Sequence, residues 1–426
     1  MRAPSIMKAL TLLVLASCTH DLDVYDRVSV RPARDLDVLF VLDNSPDRSS
    51  YDQMASQLDL LQAQLRSVDG QLPSLHVGTV TTDLGTRGTK DVLGPPSLNC
   101  AGDGDAAKLQ RLGAGISAGY LEDLRGPDGT RLRNFDSNDL KLELSRLTNP
   151  AAGTANTGCE FEQPLEAMRR ALDPFVNPGF IRPGAMLAVV FLATEDDCSF
   201  ARGALLDPND ASLGQLASFR CTAQGVICDG DDPSRPGVRT NCRPRDGSQF
   251  MVDVADYTAF LKGYKKDPRD VTVAVVAGSP TPFEVRDLGV PTLAPSCQGP
   301  GGMAWPAVRL AAFADSLGGA FISTCTQENA YQQITTPIVN RQRTCFPNLT
   351  KDDGEDCSVL EIVPGGAAPT ELTRCPDGGD AGAKPCWYTF SDEAACPDGG
   401  NYGIAVRRGT STAAAGSRIE ATCYAK

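Results

Sequence analysis

Apolar residues fall along this chain in two patterns. Short, nearly unbroken apolar runs occur at "DVLFVL" (37–42), "LHVGTVTT" (75–82), "AMLAVVFLA" (185–193), "VTVAVVAG" (271–278) and "AFISTC" (320–325). Such runs predict strands buried on both faces. Between them, apolar positions recur every three or four residues, the helical spacing. Met54, Leu58, Leu61, Leu65 and Val68 mark one such helix, and Phe161, Leu165, Met168 and Leu172 a second. "DLKLELSRL", "VADYTAFLKGYKK" and "AWPAVRLAAFADSLGG" predict further helices, and "TQENAYQQITTPIVNRQ" a closing helix interrupted near Pro337. The rest of residues 86–150 is Gly-rich and shows no clear period.

Strands alternating with helices predict the α/β class, a mostly parallel, doubly wound, Rossmann-like sheet. Ligands of such sheets bind beyond the carboxyl ends of the strands, where Asp43 follows the first run. Past Cys345 the helical period stops, turn residues rise and "CPDGG" occurs twice. Residues 346–426 are expected to form a small disulfide-rich β appendage. A Cys-rich insertion spans about 198–248 of the main domain, 35–345.

The N-terminus changes the picture of where the protein works. Arg2 and Lys8 precede an apolar run, and Leu15-Ala16-Ser17-Cys18 resembles a lipobox. Residues 1–17 are read as a lipoprotein signal peptide, Cys18 as the lipidated residue, and 18–34 as its tether. Several acyl chains on one Cys anchor stably to a membrane. Thr19 stands where an inner-membrane retention Asp would be, so an exported, outer-membrane-anchored lipoprotein is expected, on the periplasmic or cell-surface side. Setting Cys18 aside from the 15 cysteines leaves an even number with no C-x-x-C pair. Disulfides in an oxidising compartment follow, with the pairing open. The only histidines are His20 and His76, too few for a Cys/His zinc site or a catalytic triad. The net charge of −13 without a basic block argues against nucleic acid as a partner.

A buried strand ending in Asp43-Asn44-Ser45 and followed by a helix resembles the von Willebrand factor A (VWA) family. Its metal-ion-dependent adhesion site begins Asp-x-Ser-x-Ser. Pro46 and Asp47 depart from that pattern. "LFVLDNS", "FEQPLEAM", "FLATEDDCS" and "VAVVAGSPTP" together resemble VWA-like lipoproteins of the type common in myxobacteria. The resemblance implies a hard divalent cation, Mg²⁺ or Ca²⁺, held by oxygen ligands. Asp43, Ser45 and Asp47 occupy the first element, Thr154 or Thr157 the second, and Glu195 or Asp196 the third. The cation would bind an acidic group on a protein or peptide partner. A non-enzymatic binding protein is therefore expected. A metal-free structural envelope module on the same fold is the alternative, and a hydrolase comes third, since no nucleophile or P-loop motif appears. Trp305 is read as a core residue, and "DGDD" (229–232) and "KDDGED" (351–356) as surface turns.

Overall fold

The computed structural model describes residues 24–30, 35–44, 56, 58–66, 72–86, 100, 102–126, 130–137, 139–149, 158–230, 232, 235–300, 302–326, 329–342, 344–346, 357–363, 368–376, 384–391, 402–408 and 417–425. In chain order the elements begin with β1 (Val24–Val30), β2 (Leu36–Leu42), α1 (Leu58–Arg66), β3 (Leu75–Thr81), β4 (Leu121–Arg125), β5 (Arg131–Arg133) and α2 (Leu140–Leu147). Next come α3 (Pro164–Ala171), β6 (Met186–Leu192), α4 (Phe219–Gly225), α5 (Val254–Lys262), β7 (Val271–Ala277), α6 (Val308–Ser316), β8 (Ala320–Ser323) and α7 (Ala330–Gln342). The chain ends in β9 (Thr344–Phe346), β10 (Cys357–Ile362), β11 (Thr370–Arg374), β12 (Cys386–Ser391), β13 (Tyr402–Arg407) and β14 (Arg418–Ala425).

The main sheet runs β8-β7-β6-β2-β3-β4-β5. The five strands from β8 to β3 are parallel. Every residue of β2, β3, β6 and β7 is buried, as their continuous apolar runs require. Side chains of alternate residues feed opposite faces. Val38, Phe40 and Leu42 pack with Leu61 of α1, Leu144 of α2 and Ile334 of α7. Leu39 and Val41 pack with Met168 of α3, Tyr257 of α5 and Phe313 of α6. The sheet is thus doubly wound. Strand order reverses between β2 and β6, which places the topological switch point at their carboxyl ends.

Three expectations change. The segment without a period holds the antiparallel hairpin β4–β5 at the sheet edge. Its strands are short and charged, and ion pairing stabilises them. Buried Asp123 accepts from Arg131 Nε at 2.8 Å and Arg133 Nε at 3.1 Å. Secondly, Pro337 does not interrupt α7. Burial of Ile334, Ile338 and Val339 holds the helix through the lost N–H donor, and the Thr335 and Thr336 hydroxyls donate to the carbonyls of Tyr331 and Gln332. Thirdly, Val24–Val30, expected within the tether, is a strand paired antiparallel with β14 from Val24↔Ala425 to Val30↔Ile419.

The second sheet runs β1-β14-β10-β11-β12-β13-β9. Val359, Leu372, Trp387, Ile404, Val406 and Ile419 form its core. The expected β appendage is there, and it takes its first strand from the other end of the chain. Among the described residues, six disulfides join Cys100–Cys159, Cys198–Cys221, Cys228–Cys242, Cys297–Cys325, Cys357–Cys423 and Cys375–Cys386. Two staple the insertion and two the β appendage. Residues 1–23, including Cys18, lie outside the described residues. Among the described residues no helix is long and apolar enough to cross a membrane.

Candidate functional site

Asp43 follows β2 directly and its backbone N–H donates to Leu192 O at 2.9 Å, which extends the β2–β6 ladder to the switch point. Its carboxylate is fully buried. Oδ2 accepts from the Thr194 N–H at 2.9 Å and from Thr194 Oγ1 at 2.7 Å. Thr194 follows β6, so the carboxyl ends of the two central strands are joined through this one oxygen. Asn44 is buried beside it under the 158–163 segment. A Cβ on Gly158 would stand 2.3 Å from Asn44 Oδ1, so only glycine permits that close approach. The Cys100–Cys159 disulfide and a bond from the Gln163 N–H to Thr82 O, 3.0 Å, hold the segment down.

That segment brings Glu162 into the site. It is 2 % exposed, and no donor reaches either of its carboxylate oxygens. The group within hydrogen-bonding range is another acid, Asp43. Such a pair is satisfied by a shared proton or by a cation. Burial raises the pKa of Glu162 well above the ordinary carboxyl range, and the charges of Asp43, Glu195 and Asp83 raise it further. Burial and then the charge of Asp43 push Glu195 up to about 7, against a hydrogen bond from Ser218. The charges that act most strongly on these two groups are all acidic. Asn44 Oδ1, Thr82 Oγ1 and Gln163 Oε1 are also buried without a hydrogen-bond partner. The switch point therefore carries a buried excess of oxygen acceptors over donors.

The two acids after Glu195 have different work. Asp196 accepts the backbone N–H groups of Arg309 and Leu310 at 2.9–3.1 Å, capping α6 from a distant loop. Desolvation pushes its pKa up to about 6 despite these donors. Asp197 accepts the Leu165 N–H at 3.1 Å, capping α3, and pairs with buried Arg309 through Nε at 3.1 Å and Nη2 at 2.9 Å. Of the residues expected at the cation, Asp43 and Glu195 come together. Asp196 is committed to a helix end, and Ser45, Asp47, Thr154 and Thr157 lie outside the described residues. Among the described residues no three acidic, His or Cys side chains converge at metal-ligand spacing. The oxygen chemistry present suits a hard cation, and the expected shell is only partly in view.

Sequence reasoning missed Glu162 because "CEFEQP" reads as the start of a helical face. In fact α3 begins only at Pro164. The available signal was an acidic Glu-x-Glu between a cysteine and a helix-starting proline.

A cavity of about 750 Å³ opens beside the switch point, with Glu160, Glu162 and Glu195 on its wall. The insertion roofs it through residues 211–224. Trp305 lines it too, half-buried and outside the core, and its Nε1 donates to Leu293 O at 3.1 Å. Arg220, 2 % exposed, shapes the roof. Its guanidinium donates to the carbonyls of Leu205, Asp207, Gly214 and Gln215 at 2.6–3.1 Å. Arg220→Met keeps the packing and orphans these carbonyls. With charge-assisted bonds contributing about 1.5–3 kcal/mol each before compensation, the variant is expected to lose about 3 kcal/mol in urea melts. Limited proteolysis should then cut first within 203–218; an unchanged cleavage pattern would contradict this role.

No family model and no curated protein matches the chain. Among solved structures, it is similar to the conserved hypothetical protein BatB from Bacteroides thetaiotaomicron, with 9% identity, 71% of this chain and 98% of that one covered, and a TM-score of 0.27. It is also similar to a von Willebrand factor type A protein from Catenulispora acidiphila, with 11% identity, 95% of this chain and 65% of that one covered, and a TM-score of 0.26. Similarity at this level says nothing of the site. The α/β class rests on the strand order itself.

Proposed function

We propose that the protein is an exported, lipid-anchored envelope protein whose VWA-like α/β domain binds a protein or peptide partner through a divalent cation at the switch point. The observation that carries this reading is Glu162, buried beside Asp43 with both carboxylate oxygens lacking a hydrogen-bond donor and other acids as the charges that act on it most strongly. A hard cation supplies the missing positive charge, and Mg²⁺ or Ca²⁺ favours the carboxylate, amide and hydroxyl oxygens concentrated there. Asp43 and Glu195 would hold it, together with Ser45, Asp47 and a hydroxyl from Thr154 or Thr157, and an open position would take the partner's acidic group. The six disulfides support an oxidising compartment, and the lipobox supports anchoring at Cys18.

The test is a thermal melt of the oxidised protein in EDTA, then with excess Mg²⁺, Ca²⁺ or Mn²⁺. A cation bound only by the folded state at a hundredfold over its Kd adds about 2.7 kcal/mol. We expect a rise of a few degrees that Asp43→Ala abolishes. The alternative, a metal-free structural module, draws on the lack of three convergent ligands among the described residues. It predicts identical melts with and without cations.

A further inference from the structure

The cavity beside the switch point has a charge imbalance that the cation reading does not use. Of the acids on its wall, Asp196 is spent on the N-terminus of α6 and Asp197 on Arg309. Asp232 lies within 4.0 Å of Arg235. Glu160, Glu162 and Glu195 remain, and none of them is in an ion pair with a described Lys or Arg. Among the described residues, the one basic residue lining the cavity, Arg245, directs Nη2 toward the carbonyls of Ala223 and Val226 at 3.4–3.5 Å. Glu162 sets this cluster apart from an ordinary acidic surface, because it is 98 % buried, lines the cavity, and no donor meets its oxygens.

Apolar groups share the wall with these acids. Trp305, Phe219, Leu213 and the Pro291–Leu293 strand line it. That strand belongs to a small antiparallel sheet with Phe283–Asp287 and Gly237–Arg239. The same sheet and its turn carry Val238, 69 % exposed, Leu288, 72 %, and Val290, 39 %, at and beyond the cavity rim. Apolar groups beside carboxylates that are in no described ion pair match a side chain with a hydrocarbon stem and a cationic head. An indole face at the wall adds cation–π attraction. The volume lies within the range of pockets that hold small ligands, enough for one such side chain and its neighbours.

We propose that this cleft binds a Lys or Arg side chain of a peptide segment on a partner protein, its stem against Trp305 and Leu293 and its charge facing Glu160, Glu162 and Glu195. Neighbouring apolar residues of the partner cover Val290 and Leu288. The inference stands on the cavity and its unpaired carboxylates and does not depend on a bound divalent cation.

The probe is a fluorescein-labelled peptide with Arg between two Leu residues, paired with the same peptide carrying citrulline, the neutral isostere. Anisotropy is read against the full-length oxidised protein in detergent, in EDTA and in Mg²⁺. The Arg peptide should bind at least tenfold more tightly than the citrulline peptide, in EDTA as well. Glu160→Gln with Glu195→Gln should weaken it at least tenfold, and Trp305→Ala should weaken both peptides. Melts establish that the variants fold, since each Glu→Gln change removes a charge without altering shape. Equal binding of the two peptides, binding of neither, or binding unchanged in the double Gln variant overturns the proposal. Binding that requires Mg²⁺ also overturns it and assigns the ligand to the cation. A melt insensitive to cations sinks the cation reading alone.

Discussion

Asp197→Ala is expected to cost about 3–5 kcal/mol, the penalty for leaving one partner of a buried ion pair uncompensated. Both partners are fully buried, Asp197 and Arg309 at 1 % exposure each. The single carboxylate joins three structures: the N-terminus of α3 through the Leu165 N–H, the Ser199 hydroxyl, and α6 through Arg309. Arg309 Nη1 already lacks a partner, so the variant leaves most of a guanidinium stranded in the core. Urea melts of three proteins settle the point. Asp197→Ala with Arg309→Met should lose markedly less than the sum of the two single changes, because neither charge is then orphaned. Additive losses would show that the two side chains act independently.

Glu162→Gln is expected to stabilise the cation-free protein at pH 8 and to leave it unchanged near pH 4.5. Unfolded, Glu162 and Glu195 give up their protons near the ordinary value of 4.5; folded, Glu195 holds its proton to about 7 and Glu162 is shifted in the same direction. Unfolding therefore releases protons between these limits. Stability is full below about pH 4.5 and declines as pH rises through 7. Glu195, shifted from 4.5 to about 7, accounts for a decline on the order of 3 kcal/mol. An amide at position 162 has no proton to lose, and its NH₂ can donate to Asp43. Supplying a donor where buried acceptors are unsatisfied contributes about 1–3 kcal/mol. Melts in EDTA from pH 4.5 to 8 should show a shallower slope for the variant. Added Mg²⁺ or Ca²⁺ should flatten the slope of the unmodified protein, because a cation replaces the protons. A variant with the original slope would remove Glu162 from the cluster's titration.

The central strands were legible because nothing but burial on both faces explains runs such as those of β2, β6 and β7. The position of Asp43 at the switch point followed from the same pattern. Other elements depended on partners far along the chain. The alternation in "VYDRVSV" had no visible mate, since β14 lies about 400 residues away. The charged strands of β4–β5 became strands through Asp123, whose burial no local pattern announces. In "TEDD" the sequence offers Glu195 or Asp196 as one ligand, whereas the fold sends each acid to a different neighbour: Glu195 to the cluster, Asp196 to α6 and Asp197 to α3 and Arg309. Spacing identifies residue types; it cannot say which backbone N–H will arrive from another helix.

The pairing of β1 with β14 also sets an order of assembly. β1 is made long before its partner β14, so the second sheet is incomplete until residues 418–425 arrive. The α/β domain has no such dependence, because all its strands lie between residues 36 and 323. It can fold while the tail is still being delivered, and its folding then shortens the loop that β1 and β14 must close. Closing a flexible loop of several hundred residues carries an entropic penalty that compaction of the intervening chain reduces. The Cys357–Cys423 bond sits at paired positions of β10 and β14. Once oxidised, it holds the late-arriving strand in place, so the second sheet is locked only after β14 has paired.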